Sequence, residues 1–390
     1  MIPNRSTSHA PSAATAASRT LLGAAVGALL TLGLVACGST PEKFKPTPLS
    51  TPANGVGVTQ VWTANIGAAQ TPLAPVVAEG RVFLASRSGT VAALDAATGR
   101  DVWRLEVGAA LGAGVGADGQ TAAVVTLDNE LLAVREGKVL WRVRLPARSF
   151  TAPLVAGGRV FVLMSDRSVS AYDGANGARL WTQSRPSEPL VLGQGGVLLA
   201  VGDTLVAGLS ARLTGLDPSN GAVRWQSLLA TSRSTNEVER LVDLVGTVSR
   251  IGNSVCARAY SAAVGCVDTS KGTTVWSKPA QGNNGLGGDE QLVFGSESDG
   301  RVLAWQRATG DAAWQVDRLK YRNLTSPLAV GGVVVVGDAE GMVHVLSRED
   351  GRDMARLSTD GSAIVGAPVV ADQVLIVQTQ KGGVFAWRPQ

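Results

Sequence analysis

Residues 75–103 read PVVAEGRVFLASRSGTVAALDAATGRDVW, and this stretch decides the fold. Val82-Phe83-Leu84-Ala85 is a short apolar run without helical spacing. Ser86-Arg87-Ser88-Gly89 follows as a polar hairpin turn, with Gly89 free to take positive φ. Thr90 to Leu94 is a second apolar run, and Asp95-Ala96-Ala97-Thr98-Gly99 a second turn, whose Asp and Thr side chains suit bonding to backbone amides. Val102-Trp103-Arg104 then opens a further strand. The strands are apolar on both sides, so each sheet is expected to be covered on both faces.

The pattern recurs along the chain. A second clear copy runs from Pro153 to Trp181, and others end at Trp141, Trp225, Trp276 and Trp314. A degenerate copy, Pro327 through Gly351, carries Ala355 where Trp is expected. Trp62, Trp103, Trp141, Trp181, Trp225, Trp276 and Trp314 are 41, 38, 40, 44, 51 and 38 residues apart, and Ala355 lies 41 beyond the last. A period near 40 with four short strands per unit predicts an all-β fold, an eight-bladed β-propeller of four-stranded antiparallel blades over residues 61–390. A lone blade buries its sheet only against neighbours, so the ring must close. The last copy begins at Pro368 and stops at Trp387, inside its third strand, while Val61-Trp62-Thr63-Ala64 has a fourth strand's pattern and no blade of its own. That segment is predicted to complete the last blade and remove its open edge.

The Asp-x-x-Thr-Gly-x-x-x-Trp pattern resembles the tryptophan-docking motif of pyrroloquinoline-quinone-type repeats. The resemblance implies that the seven Trp from Trp62 to Trp314 wedge between blades, each burying about 150–250 Å². Stacking on carbohydrate is the competing role for these rings.

Composition narrows the function. Arg5 and Arg19 are two of 35 basic groups and lie in a segment expected to be removed, which leaves 33 against 31 acidic groups, a net charge of +2. That balance has no clustered basic surface and argues against nucleic-acid binding. The two histidines are His9 and His344, so the mature chain holds one, too few for a His-rich metal site or the usual general base. No cofactor, metal or catalytic residue is expected.

Residues 1–36 read as a leader: a polar start with Arg5 and Arg19, then a 15-residue apolar run from Thr20 to Leu34. That run is short for a membrane span, which needs about 20 residues, and suits a signal peptide. Leu34-Val35-Ala36-Cys37 resembles the bacterial lipobox, which implies that Cys37 is lipidated and becomes the mature N-terminus. The competing reading is an ordinary secretory leader with a coincidental Cys. Gly38 is not the Asp that resembles an inner-membrane retention signal, which points to the outer membrane. Residues 37–60, with Pro41, Pro46, Pro48 and Pro52 among Ser, Thr and Gly, are expected to form a flexible tether. Attachment to the membrane is then through the lipid anchor alone.

Cys256 and Cys266 align with Phe83 and Ala93, nearly opposite across a hairpin, and an oxidising periplasm permits a disulfide. Two buried free thiols are the alternative. Two segments break the repeat: Arg185 to Gln194, and Ser232 to Val245. Insertions in propellers lie on the rims, where partners bind. Leu190, Leu192, Leu241 and Leu244 argue against plain solvated loops.

The lipobox, the repeats, Glu239-Arg240-Leu241-Val242-Asp243, the closing Val384-Phe385-Ala386-Trp387, and Asn323 to Pro327 with Gly337 to Gly341 resemble the BamB family of outer-membrane assembly lipoproteins. The resemblance runs from the lipobox to the end. It implies a scaffold at the periplasmic face of the outer membrane, a monomer within a hetero-complex, that binds a POTRA domain of the central barrel protein BamA. Other lipoproteins of that machinery would be met indirectly, and unfolded outer-membrane proteins would be clients. Carried over, the apolar contact pair is Leu190 and Leu192, and one family acid matches Asp243. Gly193 stands where the family has Arg, and Val245 where it has a second acid, so Arg240 or Glu239 is expected to supply rewritten polar contacts. Leu241 lies in the same expected interface. The repeats also raise a quinone-dependent dehydrogenase, but such enzymes resemble longer chains with acidic calcium ligands, a catalytic Asp and adjacent cysteines. A third reading is a lipoprotein propeller with another envelope ligand, such as cell wall or polysaccharide.

Overall fold

A computed structural model describes residues 44–51, 57–70, 72–184, 191–231 and 242–390. The chain divides into compact units Met1–Lys45 and Pro46–Gln390. Of the first, residues 44 and 45 are described and have no regular structure. The second is all strand: eight four-stranded antiparallel sheets, each with its strands in consecutive order except the last. This is the expected eight-bladed propeller.

Blade 1 shows the plan. Its strands are Val76–Ala78, Arg81–Ala85, Thr90–Asp95 and Asp101–Glu106, here a to d. Strands b and c are almost wholly buried, whereas d alternates between exposed and half-buried. The a strands of neighbouring blades touch one another, so a is innermost and d outermost. Because successive strands are antiparallel, the a–b and c–d turns share one face of the ring. The b–c turns and blade-to-blade connections share the other, called the loop face below.

Ring closure follows the sequence reading. Val58–Asn65 is the d strand of blade 8 and pairs with the c strand Gly383–Pro389, placing Thr63 opposite Phe385 and Ala64 opposite Val384. The pairing begins at Val58, three positions before the expected Val61. Gln390 N donates to Gly57 O at 2.9 Å, which fastens the C-terminal residue beside the start of strand Val58–Asn65.

The tryptophans hold the seams. Trp62 of blade 8 lies over Gly99 in the c–d turn of blade 1, and a Cβ built on Gly99 would fall 2.5 Å from the indole. Gly99 also has φ +70°, so a side chain there is excluded on two grounds. The same partnership joins Trp141 to Gly177, Trp181 to Gly221, Trp225 to Gly272, Trp276 to Gly310 and Trp314 to Gly351. Trp103 meets Gly137 of the shorter Glu136-Gly137 turn. The indole N–H of Trp62 donates to Ala96 O at 3.0 Å, and those of Trp141, Trp181, Trp276 and Trp314 donate to Gly174, Pro218, Arg307 and Arg348 carbonyls. Each acceptor is the turn residue three before the glycine. A buried ring therefore also satisfies its polar edge.

Ala355 in blade 7 has a physical reason. The blade it faces is blade 8, whose c and d strands come from opposite ends of the chain, so no c–d turn exists there for a Trp to cover. That seam is filled otherwise: Met354, Ala355 and Leu357 pack with Val58, Leu375 and Phe385 around Val377 and Trp387.

The turn aspartates cap the c–d loops. Thr98 Oγ1 and N both donate to Asp95 Oδ1, and Ser219 Oγ and N to Asp217 Oδ1. These bonds favour the ionised carboxylate. The Thr98 hydroxyl and amide hold Asp95 below its usual range, and the Ser270 hydroxyl, followed by its amide, does so for Asp268. The Ser219 hydroxyl and amide, then Arg224, lower Asp217 to about 2.

Two outcomes are expected. Trp62→Ala should destabilise the propeller by about 3–5 kcal/mol in denaturant unfolding, because it empties the seam where the ring closes. Since the folded-state pKa values of these aspartates lie below the unfolded ones, their stabilisation is present above about pH 4 and lost as pH falls toward about 2. Denaturation midpoints measured down that range should drop for the parent protein and drop less for Asp217→Ala.

Candidate functional site

The two repeat-breaking segments are the connections from blade 3 to blade 4 and from blade 4 to blade 5, both on the loop face. Leu190, Arg240, Leu241 and Glu239 lie outside the described residues. Leu192 and Asp243 are described, and the fold brings them together from 51 positions apart: Leu192 N donates to Asp243 Oδ2 at 3.2 Å. Asp243 Oδ1 accepts from Arg167 Nη2 at 3.1 Å. The Arg167 and Asp243 side chains are 10% and 16% exposed, so this pair is largely shielded from water, and losing one partner costs more than at a surface ion pair.

Further bonds knit the connections together. Gly246 N donates to Gly195 O at 2.9 Å, and Gly196 bridges Val245. Gly196 N donates to Thr151 Oγ1 at 2.9 Å, and Gln194 Nε2 to Asn283 O at 2.8 Å. Tyr260 N donates to the Asp243 carbonyl at 3.0 Å. Phe150, Met164, Arg167, Leu192, Asp243 and Val245 line a shallow cleft of about 50 Å³ on this face. It is an apolar hollow with one ion pair in its wall, suited to receive an apolar side chain from a partner.

Both carboxylate oxygens of Asp243 accept hydrogen bonds within the molecule, one from Leu192 N and one from Arg167 Nη2. Val245 is buried at the start of the next blade, where an acid would lack water, and Gly193 is exposed. Arg167 was missed. It sits at the b–c turn of blade 3 in Ser165-Asp166-Arg167-Ser168, with φ 60°. Gly89 holds the matching place in blade 1, whereas Arg87 matches Ser165 and donates to Gln70 on the neighbouring connection at 3.0 Å. An arginine in a turn position held by glycine in blade 1 carries no local signal of its role, and only the fold shows that it faces the insertions.

Cys256 and Cys266 sit directly opposite in strands b and c of blade 5 and are bonded to each other. They occupy the places of Phe83 and Ala93, which pair in blade 1. Among the described residues, no three His, Cys, Asp or Glu side chains assemble as a metal-ligand set.

Arg167→Ala should free the 3-to-4 connection. Hydrogen exchange at the Leu192 amide is expected to speed up by the equivalent of about 1–3 kcal/mol, with blade 1 amides unchanged.

Comparison with known proteins places this geometry. A family model described as outer membrane protein assembly factor BamB matches residues 56–110 and 87–316. The outer membrane protein assembly factor BamB of Burkholderia pseudomallei is 37% identical over 364 residues, covering 92% of this chain and 96% of that protein. The crystal structure of BamB from Moraxella catarrhalis superposes with a TM-score of 0.77 at 28% identity, covering 85% of this chain and all of that one. The quinohemoprotein alcohol dehydrogenase of Comamonas testosteroni superposes with a TM-score of 0.64 at 15% identity, covering 85% and 76%. At that identity the likeness is one of fold.

Proposed function

The chain belongs to the BamB family of outer-membrane protein assembly factors, and from that premise we propose that it is a non-catalytic scaffold lipoprotein docking on a POTRA domain of BamA through its loop face. Cys37 carries the acyl anchor, so the propeller works at the periplasmic side of the outer membrane. The observation that carries the docking site is the Arg167–Asp243–Leu192 clasp beside an apolar cleft. It fixes Leu192 and Asp243, at the described ends of the two long connections, to each other before any partner arrives, which lowers the ordering cost of binding. Leu190 and Leu192 supply the apolar anchor, and Arg240 and Leu241 add contacts to the partner. Asp243 positions this surface instead of meeting the partner.

The scaffold brings unfolded outer-membrane proteins to the barrel subunit and performs no bond chemistry. The open edges of the d strands offer backbone groups to extended client segments. The dehydrogenase neighbours share the propeller and carry no argument for their reaction at 15% identity.

Leu192→Asp should abolish co-purification of BamA from crosslinked membranes while the thermal unfolding of the propeller is retained. Asp243→Arg should weaken capture as well, and adding Arg167→Asp should restore it by reversing the clasp. Full capture by Leu192→Asp would reject the site. Failure of the reversed pair to rescue would instead give Asp243 a direct contact with the partner.

A further inference from the structure

The tether is not loose along its whole length. Pro46 to Ser50 runs as an extended segment, with Thr47 and Leu49 half-buried and Pro46, Pro48 and Ser50 exposed. Thr47 N donates to Lys320 O at 3.0 Å, and Arg322 Nη1 donates back to Thr47 O at 3.1 Å. Arg356 Nη1 donates to Ser50 O at 2.7 Å. Leu49 packs on the apolar cluster of Val316, Leu319 and Leu324 at the blade 6–7 seam. Arg322 is itself fixed: its side chain is 3% exposed, Nε donates to buried Asp338 at 2.7 Å, and Nη2 donates to Glu340. His344 bonds the same Asp338 oxygen at 2.9 Å. The segment thus lies against a rigid, buried polar hub.

Its location matters. Lys320 and Arg322 belong to the connection from blade 6 to blade 7, and Asp338 and Glu340 to the b–c turn of blade 7. Both lie on the loop face, which also carries the Arg167–Asp243 cleft.

Chain length turns this contact into an orientation. Cys37 to the first propeller strand at Val58 is 21 residues, a reach of about 70 Å at full extension. A compact domain of this size has a radius of gyration near 20 Å and is about 50 Å across. A leash of that length would exceed the domain and set no orientation. Cys37 to Pro46 is nine residues, a reach of about 30 Å. Docking of the segment therefore shortens the leash to less than the width of the domain.

We infer that Thr47–Ser50 is a strap that presents the blade 6–7 rim of the propeller to the lipid surface. The inference rests on the reading of Cys37 as the lipid anchor. The rim at the 2-to-3 connection, four blade seams away, is then turned outward from the bilayer. Membrane and protein partner are approached from one face, at different blades.

The test is energy transfer in the full-length acylated protein, reconstituted in phosphatidylethanolamine–phosphatidylglycerol vesicles bearing a headgroup acceptor dye. The donor is placed by Asp317→Cys beside the strap, or by Arg148→Cys in the 2-to-3 connection. Transfer from position 317 should exceed that from position 148 by several-fold. Thr47→Pro with Leu49→Asp should erase the difference, and so should a flexible Gly/Ser insert after Lys45, which leaves the strap contacts in place. Equal transfer from both positions on protein that floats with the vesicles would overturn the strap. Protein that fails to float, with Cys37 unmodified by mass spectrometry, would overturn the anchor reading and this inference with it.

Discussion

The structure depends on one contact repeated around a ring: an indole from one blade laid over a glycine in the next blade's outer turn. A four-stranded blade has two apolar faces and no means of covering either alone. The Trp–Gly contact turns that liability into order, because a ring of that size and a residue without a side chain fit only when neighbouring blades adopt one spacing. The indole N–H, bound to the turn carbonyl in five of the seven cases, makes the fit directional. The last seam shows the rule by its exception. Where blade 8 has two chain ends in place of a turn, the chain supplies Ala355 and packs Val58 and Phe385 into the gap.

Much of this was legible in the sequence because it is local and periodic. The strand and turn alternation of Arg81 to Gly99, the Trp spacing, the missing last strand and the spare strand at Trp62 each follow from residue type and interval. The cross-strand place of Cys256 and Cys266 followed from alignment to Phe83 and Ala93. What stayed hidden was contact between residues far apart in the chain. Asp243 and Leu192 are distant in sequence, and the arginine that clasps them occupies a turn position held by Gly89 in blade 1. Composition also misled in one stretch. Pro46-Thr47-Pro48-Leu49 reads as tether, yet an extended Pro-rich chain is well suited to lie along a fixed surface when a buried arginine and an apolar seam await it. No local signal marks Lys320, Arg322 and Arg356 as its receivers.

These features divide labour around the ring. Blades 3 to 5 carry the long connections and the cleft, held by an ion pair shielded from water. Blades 6 and 7 carry the polar hub of Arg322, Asp338 and His344 and receive the incoming chain. Blades 8 and 1 carry the closure, through Trp62 and the pairing of Val58–Asn65 with Gly383–Pro389. A scaffold gains from such rigidity, because surfaces set at fixed angles around one ring hold their partners at fixed angles to each other.

The central claim is that the two chain ends shut the ring, so that blade 8 is as much part of the cooperative unit as any other. Native-state hydrogen exchange across the c strand of blade 8 measures this directly. Amides of Val384 to Trp387 should exchange only through global unfolding, with the protection seen in the b and c strands of blade 4. Protection lower by orders of magnitude in blade 8 than in blade 4 would mean that the seam opens by itself, and the closed-ring account would fail.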